Sequence, residues 1–96
     1  MIISFTDRGT ADVFDGADTN AARKKLPSAL HAKAAGVLDR LNSAVSLQSL
    51  SLPGLRLEKL KGDRAGEYSV RVNSQYRICF RWTEKGAEDV EIVDYH

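Results

Sequence analysis

Apolar residues recur along this chain with one period in its first half and another in its second. From Pro27, a residue suited to a first helical turn, Leu30, Ala34, Val37, Leu38, Leu41 and Val45 return at steps of three and four, which predicts a helix with one buried face. Gly36 inside it costs roughly 1 kcal/mol relative to alanine, so packing holds the helix together or a close approach needs the missing side chain. Ahead of it, Ile2 to Phe5 is β-branched and aromatic enough for a short opening strand. Asp7 or Thr10 can cap a brief helix carrying Val13 and Phe14, with Gly16 as its stop. Ala17 to Lys25 shows no clear period and reads as irregular or weakly helical. Ser46 to Leu50 has room for one turn before Pro53-Gly54.

Beyond Pro53-Gly54 the period falls to two. Leu55 and Leu57, then Tyr68, Val70 and Val72, then Ile78, Phe80 and Trp82, then Val90 and Ile92 alternate with polar neighbours, the last run extending from about Glu88 to Tyr95. Gly62 to Gly66, Asn73-Ser74 and Glu84 to Gly86 are turns too short for anything but antiparallel neighbours. The predicted fold is α+β: a short strand, two helices and a meander of about four strands, with the helices on one face of the sheet. Side chains two apart share a face. If Ile78, Phe80 and Trp82 meet the helices, Ser69, Arg71, Arg77, Arg81, Glu91, Val93 and Tyr95 share the other, joined by Glu58 if its strand pairs without a bulge. That predicts an uncovered cationic face, with Asp94 and Tyr95 on opposite sides unless the strand twists.

Composition narrows the class. With 96 residues and a single cysteine, Cys79, the chain suits one domain over 1–96 without an internal disulfide. No leader-like or membrane-spanning apolar run is visible, so a soluble cytoplasmic protein is expected. A net charge of +1 gives little overall pull on nucleic acid. Its distribution is uneven: Arg56, Lys59, Lys61, Arg64, Arg71, Arg77 and Arg81 crowd residues 55–82, whereas Glu84, Glu88, Asp89, Glu91 and Asp94 follow them. A local cationic surface can neutralise phosphates even so. His31 reads as a surface residue, Cys79 as a strand thiol without redox duty, and Phe80 and Trp82 as core anchors. Neither histidine stands at metal-ligand spacing to the cysteine, and no metal or cofactor is expected.

The run Leu60-Lys61-Gly62-Asp63-Arg64, then Tyr68-Ser69, Tyr76 to Phe80 and the ending Asp94-Tyr95-His96 resemble the HigB toxins of the RelE/ParE superfamily. Ile3-Ser4-Phe5 with Gly9 extends the likeness over almost the whole chain. The resemblance implies the toxin of a type II toxin–antitoxin pair, an endoribonuclease that cuts messenger RNA on the ribosome. It also implies a HigA-like helix-turn-helix antitoxin, through which the complex would bind operator DNA. Lys61, Arg77, Asp94, Tyr95 and His96 match functional positions of the family. Glu58 stands where some members have histidine.

Metal-free RNA cleavage uses the ribose 2′-hydroxyl as nucleophile and needs a proton acceptor, a donor to the leaving oxygen and positive charge at the phosphate. His96 can change protonation near neutral pH. Glu58 among cations suits a base, Arg77 and Lys61 suit the phosphate, and Tyr95 suits stacking or hydrogen bonding. Asp94 is placed to orient the strand end, and Arg64, Arg71 and Arg81 to contact RNA. Two other readings stay open at this point: a ParE-like inhibitor of DNA gyrase, and a non-catalytic partner for antitoxin or operator.

Overall fold

The computed structural model describes residues 1–95. Among them, α1 (Arg8–Asp15), α2 (Asn20–Lys25) and α3 (His31–Ser43) precede an antiparallel sheet of β1 (Glu58–Lys59), β2 (Tyr68–Arg71), β3 (Tyr76–Thr83) and β4 (Gly86–Asp94), in the spatial order β1-β2-β3-β4. The α+β meander with helices against it is the expected architecture, with several local differences.

Asp7 starts α1 by accepting from the Thr10 amide at 2.7 Å, and Gly16, at φ 73°, ends it. The stretch read as irregular or weakly helical forms the short helix α2 and so adds a third helix to the two expected, because Thr19 accepts from the Ala22 amide at 3.1 Å and caps it. The two helices meet backbone to backbone: a Cβ on Gly9 would sit 2.6 Å from the Ala21 carbonyl oxygen. His31 is not simply a surface residue, since its Nε2 lies 3.2 Å from the Ala22 oxygen and 2.9 Å from the Leu26 oxygen, tying the end of α2 to the start of α3. A 3₁₀ turn at Ser28–Leu30 leads into α3, whose Ala34, Leu38 and Leu41 are buried as the period requires. Val45 departs from that face and is 92% exposed, because the backbone leaves the helical region at Ala44 (φ −66°, ψ 128°).

The opening segment is not a continuous strand. It makes two isolated parallel bridges to β4, Ile2 with Ala87 and Phe5 with Val90. Between those bridges β4 carries an extra residue: Cys79 pairs with Glu91 but Arg81 with Glu88, and Asp89 adopts φ 54°. This bulge breaks the ladder, and Ser4 Oγ accepts from the displaced Asp89 amide at 2.9 Å. The bulge also resets the two-residue phase, so Ala87, Val90 and Ile92 are all buried. They join Val13, Leu26, Leu38, Leu41, Val70, Ile78 and Phe80 in the core between the sheet and the helices. Leu55 is buried too, but it precedes β1, which is only two residues long. Buried Thr10 joins the layers, its Oγ1 accepting from the Ile92 amide at 3.1 Å.

Candidate active site

Three strands set the geometry of the sheet face opposite the core. The β2–β3 register places Arg77 across from Arg71 and Cys79 across from Ser69, and the β3–β4 register places Arg77 across from Val93. Arg77 sits at the centre, its side chain only 12% exposed. Its Nε donates to Ser69 Oγ at 2.8 Å, and its Nη2 donates to the Arg56 carbonyl at 2.6 Å and more weakly to the Ser69 carbonyl at 3.4 Å. Glu58 Oε1 lies 3.7 Å from Nη2, and the guanidinium carbon stands 5.8 Å from the centre of the Tyr95 ring. Among the described residues Nη1 has no partner. A planar guanidinium fixed on one edge and open on the other is suited to an anion that presents oxygens to it, such as a phosphate or carboxylate.

The backbone contributes to this arrangement. Arg56 is one of two non-glycine residues with positive φ among the described residues, at 46°. Such a conformation costs on the order of 1 kcal/mol and persists where surrounding bonds determine it, here through the carbonyl that receives Arg77. Period two puts Ser69 on this face, but only the folded register makes it the anchor of Arg77, so sequence alone gave it no role.

Glu58, Arg77 and Tyr95 are thus brought together, as the alternation predicts. Tyr95 is 44% exposed and fixed by its amide, which donates to the Gln75 carbonyl at 2.6 Å. Burial and the neighbouring Cys79 push its phenol above the ordinary range, against the pull of Arg77. It is therefore a neutral hydroxyl near neutral pH, a donor or stacking group and not a base. Asp94 accepts from Gln75 Nε2 at 3.1 Å, at the β4 position paired with Tyr76 and one residue out of phase with Tyr95. Lys61 is exposed at the start of the 3₁₀ turn Gly62–Arg64, and no hydrogen bond or ion pair joins it to Arg77. His96 lies outside the described residues.

The expected cationic face is instead an alternating one, because the acidic tail of the sequence folds back onto the basic middle. Arg64 bridges Glu67 at 2.9 Å and Glu91 at 3.2 Å, and Arg81 approaches Glu67 at 3.9 Å and Asp89 at 3.6 Å. Burial works against the charge on Arg64, but Glu91 and Glu67 outweigh it and raise its pKa. Arg71 makes no ion pair among the described residues. Cys79 is buried beside this network, and burial pushes its thiol up, with Arg64 pulling the other way. Among the described residues, no group of three or more His, Cys, Asp or Glu side chains is placed to hold a metal. No described helix is long and apolar enough to cross a membrane.

The profile of the HigB-like toxin family, described as a RelE-like toxin of the type II toxin–antitoxin system HigB, matches residues 3–96. Toxin HigB-1 of Vibrio cholerae serotype O1 is 29% identical over 85 residues, covering 88% of this chain and 86% of that protein. Endoribonuclease HigB of Proteus vulgaris is 27% identical over 96 residues, the full length of both. Among solved structures, a chain of the YoeB–YefM complex from Staphylococcus aureus superposes with a TM-score of 0.61 at 14% identity, covering 100% of this chain and 98% of that one, a likeness of fold.

Proposed function

Because the chain belongs to the HigB-like toxin family of type II toxin–antitoxin systems, we propose that the Arg77 cluster is the phosphate-holding centre of an endoribonuclease that cuts messenger RNA on the ribosome. The observation that carries this reading is the fixed guanidinium: Ser69 and the Arg56 carbonyl hold one edge of Arg77, and Tyr95 lies against it. The scissile phosphate docks on the open edge, with Lys61 adding charge from the neighbouring loop. Glu58 takes the proton from the ribose 2′-hydroxyl, whose oxygen attacks phosphorus. The bond from phosphorus to the 5′-oxygen breaks as His96 protonates that oxygen, leaving a 2′,3′-cyclic phosphate and a 5′-hydroxyl end. Arg77 stabilises the negative charge that builds on the phosphate oxygens between these events. Tyr95 stacks on a base beside the cut, and Asp94 orients the strand end. Arg71 contacts the flanking backbone, whereas Arg64 and Arg81 can do so only by giving up carboxylate partners.

An endonuclease of this kind needs its substrate bent into line, and the ribosome supplies that geometry for a site with so few proton-transfer groups. The antitoxin is of the helix-turn-helix HigA type and brings the complex to operator DNA. The chain acts in the cytoplasm as one domain. Primer extension on translated messages after induction tests the reading. The full chain produces internal cuts, and Arg77→Ala or removal of His96 lowers cutting by about 10²-fold or more while circular dichroism stays native. Unchanged cutting by a folded Arg77→Ala variant overturns the assignment, and gyrase-dependent DNA breaks in place of RNA cuts would favour the ParE-like alternative.

A further inference from the structure

We propose that the open groove beside α3 holds the RNA strand where it runs on from the scissile nucleotide; the inference rests on the reading of the Arg77 cluster as an RNA-cleaving centre. The groove has a volume of about 920 Å³ and lies between α3 on one side and residues 53–56 and 71–74 on the other. Lys33, Arg40, Arg56 and Arg71 line it, and among the described residues no carboxylate does. None of the four makes an ion pair among the described residues, whereas Arg64, Arg77 and Arg81 each have a carboxylate within 4 Å. Four cations without an ion pair among the described residues thus converge on this groove, whereas Arg64, Arg77 and Arg81 at the sheet face are held by carboxylates.

Two glycines point to an occupant that comes close to the backbone. Gly36, exposed in the middle of α3, and Gly54 both line the groove. A Cβ on either would meet nothing within 4 Å, and neither has a positive φ. Internal packing and backbone conformation therefore leave the helix-weakening Gly36 unexplained. Its effect is an unobstructed groove wall.

Continuity with the Arg77 cluster favours a nucleic-acid strand over an acidic peptide. Arg56 lines the groove while its carbonyl receives Arg77 Nη2, and Arg71 lines it while pairing across the β2–β3 ladder with Arg77. A strand with one phosphate on Arg77 meets Arg56 and Arg71 next, then Arg40 and Lys33. Repeating phosphates match such a row of cations, and each one neutralised releases counterions.

The test uses fluorescence anisotropy with labelled 2′-O-methyl oligouridylates, which lack the nucleophile and survive binding. A trinucleotide is compared with a strand of about ten nucleotides. The full chain is expected to bind the longer strand at least about tenfold more tightly at low salt. Lys33→Glu with Arg40→Glu, and separately Gly36→Gln, remove most of that gain and leave trinucleotide binding unchanged. Gly36→Gln also raises the melting temperature, which separates its effect from unfolding. Lys24→Glu, an exposed charge reversal on α2 outside the groove, keeps the gain. No gain with length, a gain that survives the groove substitutions, or a loss confined to an acidic antitoxin peptide overturns the proposal. If Arg77→Ala leaves message cleavage intact, the cleavage reading fails. If it abolishes cleavage while the groove variants keep the length gain, only the groove assignment fails.

Discussion

Arg77 shows how much of a site can be read from alternation and how much needs a register. Period two places Ser69, Arg77 and Tyr95 on one face, and the folded strands do bring them together. Which neighbour holds the guanidinium depends on the offset between β2 and β3, and the carbonyl of Arg56 reaches it only because that residue adopts φ 46°. No property of the arginine at position 56 announces that conformation. On the proposed mechanism Ser69 is consequently a positioning residue, acting through Arg77. Ser69→Ala is expected to lower kcat about tenfold with little change in KM, since a misoriented cation loses transition-state stabilisation before it loses binding. In an Arg77→Ala background the same substitution should cost nothing further, and single-turnover cleavage by the two single variants and the double variant measures that coupling.

The elements are joined by two short polar side chains. Thr10 is fully buried in α1, accepts from the Ile92 amide of β4 and donates to Asp7 Oδ2 at 3.0 Å. Thr10→Val keeps the shape but leaves that strand amide unpaired, for a loss of about 1–3 kcal/mol in urea unfolding. Asp7 caps α1 and pairs with Lys25 at 3.2 Å. Burial opposes its charge, but the Thr10 amide and Lys25 outweigh that and hold its carboxyl below the ordinary 3.8. A depressed folded value means that the contribution is fully present above the unfolded value and fades as pH falls through the folded one. Asp7→Asn, which can still cap, should therefore be less stable than the parent by about 1 kcal/mol or less above pH 4, and thermal melts of the two should converge in acid. Helix starts of this kind were readable at Asp7 but not at Thr19, where a six-residue helix carries too few apolar positions to show a period. The β4 bulge was equally hidden, because Val90 and Ile92 stay in phase with each other and the extra residue lies before them.

Across the whole molecule, charges separated in sequence become interleaved in space. The basic middle and acidic tail suggested a cationic face; folding instead threads Asp7, Lys25, Glu91, Arg64, Glu67, Arg81 and Asp89 into one alternating chain that crosses from α1 to the β3–β4 bulge. Antiparallel pairing is the cause, since it lays the acidic last strand beside the strand bearing Arg77 and Arg81. The links are partly exposed and individually weak, so their main effect is on what the surface can bind. Glu91 is the joint of the chain, shared by Lys25 at 3.8 Å and Arg64 at 3.2 Å. Glu91→Gln should cost little stability, within about 1 kcal/mol, while releasing Arg64 and Lys25 from a competing carboxylate. For a single strand, each additional phosphate contact steepens the dependence of log affinity on log salt by roughly 0.7. The variant should therefore bind an uncleavable RNA more tightly than the parent at low salt, with a slope steeper by about that amount, and the two should converge as salt rises. Parallel titration curves with equal slopes would mean that this network stays closed to RNA, leaving strand binding to Arg77 and the groove beside α3.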